Sequence, residues 1–207
     1  KFDVDLYTKF GRDFPMQYLT QNKIHFENAI SEKLTTRFAI DIKGSDRTLK
    51  LLHECDPIEY TTINADGSLV TPIFHEISAD VFTKIKKDSS FTLVDPQGFL
   101  RRVDSDKNVI LENTELDLSD VNAIKVNPDE SQRIVSGSHD EMMMALQKKG
   151  VEYVIFTNKT EVSLLVKDKV YSITLPNKEV YDTTGIGDIF CATFCCTMLK
   201  EKDFLWA

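Results

Sequence analysis

The sequence predicts an α/β fold, a mostly parallel three-layer sheet with helices on both faces. From about residue 57 onward, short apolar runs of strand length alternate with segments of helical periodicity. This alternation is typical of βαβ units and a parallel sheet. The chain has 207 residues, which suits one domain with a small appendage and is long enough to bury a core without disulfides. We therefore expect residues 1–207 to form a single domain.

Each element of that sheet follows from a local pattern. Ser78 is a helix-start signal, Pro128 suits a first helical turn, and Gly150 ends a helix that begins after Ser138. The predicted strands are "FTLVD", "NAIKVN", "VEYVIFT" and two short strands within "EVSLLVKDKVYSITLP"; the predicted helices are "SADVFTKIKKDS", "PDESQRIV", "SHDEMMMALQKKG" and the apolar segment after Gly185. We interpret the cationic run "KIKK" at 84–87 as a solvated helix end, where cations suit the helix dipole.

The N-terminal part has a different pattern. Residues 35–52, "TTRFAIDIKGSDRTLKLL", alternate with period two around a turn-like centre, which predicts a β-hairpin. A lone hairpin is marginal in water, so we expect it to pack on the domain or to act as a lid. Upstream, residues 13–22 can form a short helix that Asp13 would cap.

Composition excludes some functions. The net charge of −8 argues against binding nucleic acid, because no basic surplus is present to displace counterions. The four cysteines have neither disulfide-framework nor zinc spacing, so we expect buried, reduced thiols and a cytoplasmic protein. The four histidines show no metal-ligand spacing. No apolar run approaches the ~20 residues that a membrane span needs.

In open α/β sheets, ligands bind at the carboxyl ends of strands. That rule directs attention to four loops of this chain: 95–102, 127–130, 157–161 and 183–188. In the last of these, glycines 185 and 187 leave the backbone bare at a helix start, where unpaired N–H groups and the dipole attract anions. Asp188, in the first turn, can accept a proton from a hydroxyl. Alternatively, Thr184 or Asp188 merely caps the helix and the glycines allow close packing.

Several segments resemble one known family. "DTTGIGD", residues 182–188, resembles the D-T-x-G-A-G-D signature of the ribokinase-like (PfkB) family of carbohydrate and nucleoside kinases. "VNPDE" resembles that family's N-x-x-E motif. "VIFTNKTEVSLLV" is similar to its nucleotide-side strand and hairpin, and "TKFGRDFP" to its early G-x-D-F segment. The "TTRF" hairpin lies where the family has its substrate lid.

The resemblance implies roles for individual residues. Gly185, Ile186 and Gly187 would form an anion hole with their backbone N–H groups, and Asp188 would be the catalytic base. The implied cofactors are ATP and Mg²⁺, the latter held indirectly through water. The remaining implied residues are Asn127 and Glu130 near Mg²⁺, Thr157 and Lys159 near the nucleotide, and Asp95, Gln97 and Arg101 as candidates for substrate or phosphate contact. Glu130 can instead be a helix-start acid, and Asp95 to Arg101 a turn followed by a surface arginine.

The chain also departs from the family pattern. Ile186 replaces the signature alanine, and Asn158, Lys159 and Val162 occupy positions where the family often has glycine. The family's N-terminal strand, with its substrate-binding acid and Gly-Gly pair, has no counterpart, so we expect it to precede Lys1. The resemblance implies an ATP-dependent kinase for a hydroxyl of a small, ribose-like sugar. A nucleoside kinase, or a non-catalytic sugar or nucleotide binder, is the alternative, and lid hairpins pairing edge to edge would form a homodimer.

Overall fold

The computed structural model describes residues 2–43, 46–158, 160–176 and 184–207. Its helices are α1 Gln17–Gln21, α2 Ala79–Asp88, α3 Gln97–Leu100, α4 Pro128–Ser131, α5 His139–Lys148 and α6 Ile186–Glu201. Its strands are β1 Asp5–Leu6, β2 Phe10–Gly11, β3 His25–Phe26, β4 Ile30–Ser31, β5 Arg37–Lys43, β6 Asp46–His53, β7 Ala65–Val70, β8 Ser89–Val94, β9 Arg101–Val103, β10 Val109–Leu111, β11 Ala123–Val126, β12 Tyr153–Thr157, β13 Glu161–Val166 and β14 Lys169–Thr174.

The central sheet has six strands in the order β14-β13-β12-β11-β8-β7. The pairs β7–β8, β8–β11 and β11–β12 are parallel, whereas β13 and β14 continue the sheet antiparallel. In the register of the central strands, Ile124 lies opposite Val94 on one side and Val154 on the other. The α/β prediction is confirmed, with a mixed sheet whose parallel part extends from the β7 edge to β12.

Helices cover both faces of this sheet, as predicted. Alternate residues of β8, β11 and β12 point to opposite faces, and apolar side chains of these strands pack on both faces of the sheet. One face packs against α2 and α5 and includes Val94, Ile124 and Val154. The other includes Leu93 and packs against α6 through residues such as Cys191 and Phe194. Strand residues on this second face therefore lie close to α6.

The helix starts follow local chemistry. Ser78 Oγ accepts a hydrogen bond from the Val81 N–H at 3.2 Å, as expected of the N-cap of α2. Ser138 and Glu141 form a capping box at the start of α5. The predicted helix in "PDESQRIV" is a single turn, α4. The sequence therefore predicted where these helices begin, but it did not predict that α4 is so short.

The predicted hairpin at 35–52 is present as β5 and β6, which pair antiparallel. The prediction that Asp13 caps α1 is wrong, because that helix begins with Met16 as its N-cap. Asp13 instead accepts hydrogen bonds from the Thr35 N–H at 3.0 Å and from Arg37 Nη2 at 2.8 Å, at the base of the hairpin. The roles of the hairpin as a lid and of the chain as one domain stay predictions.

The prediction of a solvated "KIKK" run is wrong for one residue. Lys84 and Lys87 are exposed, but the Lys86 side chain is 1% exposed and its Nζ lies 2.9 Å from Asp117 Oδ2. Lys86 faces the core because it follows Phe82 by one helical turn. Three of the four cysteines are buried and all four are free thiols. Among the described helices, none is both long and apolar enough to cross a bilayer.

Candidate active site

Two of the four loops singled out from the sequence converge with α6 at the carboxyl edge of the parallel strands. A Cβ atom built on Gly187 would lie 3.1 Å from Lys125 Nζ and 3.9 Å from Asp95 Oδ2. Asp95 directly follows β8, and Lys125 lies in β11 two residues before Asn127. The first turn of α6 therefore lies against the ends of β8 and β11, where ligands bind in open α/β sheets.

The first turn of α6 has the backbone that an anion site needs. Gly185 is its N-cap, with a left-handed φ of +82° that strongly favours glycine, and among the described residues no side-chain hydrogen bond caps the helix. Among the described residues, no hydrogen bond supports the alternative that Asp188 caps α6, and a cap by Thr184 stays a prediction. The N–H groups of the first turn remain available to a ligand, and the helix dipole adds partial positive charge.

Asp188 lies within this turn and is exposed. Among the described residues, no hydrogen bond or ion pair engages its carboxylate. A carboxylate at a helix start normally caps the helix or pairs with a cation. An exposed, unengaged one beside an anion site is placed to accept a proton from a bound hydroxyl. Its role as base stays a prediction.

Below this turn lies a buried ion pair that sequence reasoning missed. Lys125 Nζ is 2.8 Å from Asp95 Oδ2, and the two side chains are 10% and 3% exposed. Both follow the strand alternation, which puts Lys125 on the face of Ala123 and Asp95 on the face of Leu93. Burial lowers the pKa of Lys125, but the charges of Asp95 and Glu130 more than offset this and hold it above its ordinary value. The available signal was a lysine inside the apolar run "AIKV".

Asn127 and Glu130 hold each other at the start of α4. The Glu130 N–H donates to Asn127 Oδ1 and the Asn127 N–H to Glu130 Oε2, both at 2.9 Å, which is a capping box. Glu130 is buried, and burial raises its pKa to about 6, reinforced by Asp95 and opposed by Lys125. The reading of Glu130 as a helix-start acid is thus supported. A role near Mg²⁺ stays a prediction for both residues.

Asp95, Gln97 and Arg101 form a connected set. Asp95 Oδ1 accepts from the Gln97 N–H at 3.3 Å, and Gln97 Oε1 accepts from Arg101 Nη2 at 2.7 Å. The Arg101 guanidinium lies 5.8 Å from the centre of the Phe38 ring in β5. Arg101 is half-buried, and both interpretations of it, as a ligand contact and as a surface arginine, stay predictions. It links the loop to the hairpin.

The structure describes only some of the residues that the resemblance implies near the nucleotide. Thr157 ends β12 and is half-buried. Asn158, which stands where the family often has glycine, uses Oδ1 to accept from the Thr160 and Glu161 N–H groups, each at 2.8 Å, and so stabilises the turn into β13. Lys159, together with Asp182 and Thr183 of the signature, lies outside the described residues.

One family model matches the part of the chain that contains most of this site. Residues 103–205 match the pfkB family carbohydrate kinase model. This range includes Lys125, the capping box at Asn127 and all of α6. A search of curated proteins returned no match.

Solved structures share the fold at low sequence identity. A pyrophosphate-dependent kinase in the ribokinase family, solved as a sulfate complex, matches with a TM-score of 0.86 and 18% identity over 99% of this chain and 76% of its own. A pyrophosphate-dependent kinase in that family complexed with a pyrophosphate analog and myo-inositol gives 0.85 and 18% over 98% and 76%. Arabidopsis thaliana ribokinase, complexed with ribose and ATP, gives 0.66 and 16% over 97% and 70%.

Proposed function

Because this chain belongs to the ribokinase-like (PfkB) family of carbohydrate kinases, we propose that it phosphorylates a hydroxyl of a small sugar with ATP as donor. The observation that carries the proposal is the first turn of α6. There, backbone N–H groups and the carboxylate of Asp188 lie within one turn of each other, and no side chain in the described part of the chain is hydrogen-bonded to either. Phosphoryl transfer needs both, an electrostatic cradle for the phosphoryl group and an acceptor for the hydroxyl proton.

The proposed reaction balances with these groups. Asp188 takes the proton of the sugar hydroxyl, and the oxygen forms a bond to the γ-phosphorus. The bond from that phosphorus to the bridging oxygen breaks, and ADP leaves with the bond's electrons. The amides of Gly185, Ile186 and Gly187 would stabilise the charge that develops on the transferred oxygens.

The ligand atoms of this region fit a Mg²⁺ ion that is held mainly through its waters. Among the described residues, no group of three or more His, Cys, Asp or Glu side chains is arranged to hold a metal. Mg²⁺ keeps several waters and is bound through few carboxylates together with substrate phosphates. Glu130, supported by Asn127, is the residue that would hold those waters. The ion would supply charge neutralisation at the phosphates.

The sugar would lie between the loop at 95–101 and the hairpin. Gln97 and Arg101 are half-buried, and Arg101 contacts Phe38 of β5, so a ligand there would meet both the loop and the hairpin. Asp95 is already paired with Lys125, so contact with the substrate through its remaining lone pairs is the weaker proposal. A ribose-like sugar is the first candidate acceptor, and a nucleoside is the alternative.

Pyrophosphate is the second candidate donor. The two pyrophosphate-dependent kinases match with TM-scores of 0.86 and 0.85, against 0.66 for the ribokinase complexed with ATP. Replacement of the expected glycines by Asn158 and Val162 points in the same direction. Parallel assays with ATP and with pyrophosphate, across ribose, fructose, myo-inositol and nucleosides, would separate the two donors. Turnover with pyrophosphate but not with ATP would exclude the ATP proposal.

The test of the site is Asp188→Asn. Because general-base catalysis contributes about 10²- to 10⁴-fold, kcat should fall by about that factor, with donor binding retained. Asp140→Asn is a matched control, since Asp140 is also an exposed acid in a first helical turn, at the start of α5. Full kcat in Asp188→Asn would refute the role of Asp188. Calorimetric binding of sugar or donor by the wild type without turnover would favour the non-catalytic alternative.

Dimerisation through the hairpin is a further part of the proposal. Ile40 and Ile42 of β5 are 47% and 53% exposed, and an apolar strand edge favours pairing with a second copy. Light scattering of the wild type and of Ile40→Lys tests it. A wild-type monomer at all accessible concentrations would refute it.

A further inference from the structure

Lys125 has hydrogen-bonding capacity that its surroundings do not use. An ammonium group carries three donors, and among the described residues Lys125 makes one hydrogen bond, 2.8 Å from Nζ to Asp95 Oδ2. Its side chain is 10% exposed, and a buried charge with unpaired donors is costly. A ligand that accepts these donors would therefore be bound favourably.

The ammonium lies directly below the first turn of α6. Its Nζ is 3.1 Å from the position that a Cβ of Gly187 would occupy. Because the N and Cβ atoms of one residue are about 2.5 Å apart, Nζ lies within about 6 Å of the Gly187 amide. An anion held by that amide is then close enough to approach Lys125 as well. Glycine at 187 keeps this space open.

Three acidic residues lie at or near the first turn of α6, so a phosphate would bind there more favourably with a cation nearby. Asp95 lies below it, Glu130 is near enough to Asp95 for their charges to interact, and Asp188 is in the turn itself. The negative charges of these three carboxylates would repel a phosphate bound at the turn. Lys125 offsets two of them, Asp95 through the ion pair and Glu130 through space.

We propose that Lys125 is a phosphate-binding residue. Its spare N–H groups donate to the anionic oxygens of the donor's transferred phosphate, and the ion pair with Asp95 holds the ammonium in place. This inference rests on the proposed function, since it takes the first turn of α6 as the site of that phosphate. It adds to the backbone N–H groups a side chain that no sequence motif had marked.

The test measures binding of inorganic pyrophosphate by calorimetry, without any acceptor, and donor KM in turnover assays. Loss of a hydrogen bond to a charged group weakens binding by about tenfold to a hundredfold. Lys125→Met should lose about that factor in pyrophosphate affinity and in donor kcat/KM, with acceptor KM little changed. Lys125→Arg should restore part of it. Lys86→Met is the matched control, because it removes an equally buried lysine paired with an aspartate, and it should bind pyrophosphate normally.

A pair of neutralised variants covers the case in which Lys125→Met does not fold. Asp95→Asn keeps Lys125 with a neutral partner, and Asp95→Asn/Lys125→Met removes both charges. The double variant should bind pyrophosphate about tenfold or more weakly than Asp95→Asn. Equal affinities in that pair, or no pyrophosphate binding by the wild type, would overturn the inference. Lysine-dependent binding without turnover on any acceptor would refute the proposed function and leave the inference standing.

Discussion

Two lysines of this protein are buried to nearly the same extent and pair with aspartates, yet their environments differ. Lys86 Nζ, on α2, contacts Asp117 Oδ2 at 2.9 Å, the Asp117 carbonyl at 3.0 Å and Ser119 Oγ at 3.5 Å. Its partner Asp117 is 62% exposed. Lys125, on β11, contacts one acceptor within the described part of the chain, Asp95, whose side chain is 3% exposed.

The difference separates a structural cation from a candidate functional one. Lys86 is buried, but three acceptors match the three donors of its ammonium, and the side chain of its partner Asp117 is largely exposed. Lys125 keeps its charge under the first turn of α6, beside a second acid, Glu130, whose pKa is raised to about 6. Buried, incompletely satisfied ionisable groups cluster at functional sites. Burial alone would not have distinguished the two lysines; the number of acceptors does.

The largest expected effect is the loss of stability on removal of the Lys125 charge. Lys125→Met leaves the Asp95 carboxylate buried without its cation, and breaking a buried pair in this way costs about 3–5 kcal/mol. The free energy of unfolding in urea should fall by that amount. Asp95→Asn/Lys125→Met should recover most of it, because neither charge remains in the core. If the single and double variants were equally destabilised, packing rather than charge would explain the loss.

The second prediction concerns pH. The folded-state pKa of Glu130 is about 6, above its ordinary 4.5, chiefly because of burial. Between these values the folded protein binds more protons than the unfolded chain, so stability falls as pH rises from about 4.5 to 6. The shift corresponds to about 2 kcal/mol for Glu130. Urea unfolding across this range measures it.

Glu130→Gln is the matched control for that pH dependence. Glutamine can keep the capping box with Asn127 but does not titrate. The variant should therefore lose the decrease in stability between pH 4.5 and 6. An unchanged decrease would show that Glu130 is not the group responsible.

Much of the fold was predictable from the sequence, and the reason is local. The starts of α2 and α5 follow from Ser78 and Ser138, whose capping chemistry needs no distant partner. The turn at Gly185 was predictable because its φ of +82° strongly favours glycine, so the residue type itself marks the turn. The same glycine is part of the signature by which the family was predicted. The Asp95–Lys125 pair was not predictable, since it joins residues 30 positions apart. Likewise, β7 lies at the sheet edge, where apolar patterning is weak.

The smallest effect is expected at Lys86. Lys86→Met leaves Asp117 exposed enough to be hydrated, and methionine can fill the space of the lysine stem, so unfolding should lose about 1 kcal/mol. The hydrogen bond from Lys86 lowers the pKa of Asp117 to about 2, with help from Ser119. In the variant, the pKa of Asp117 should rise toward its ordinary value, which NMR titration can follow. Lys84→Met, an exposed neighbour on α2, should change neither quantity. A loss at Lys86 as large as that at Lys125 would show that burial, and not the number of acceptors, decides the cost of removing a lysine here.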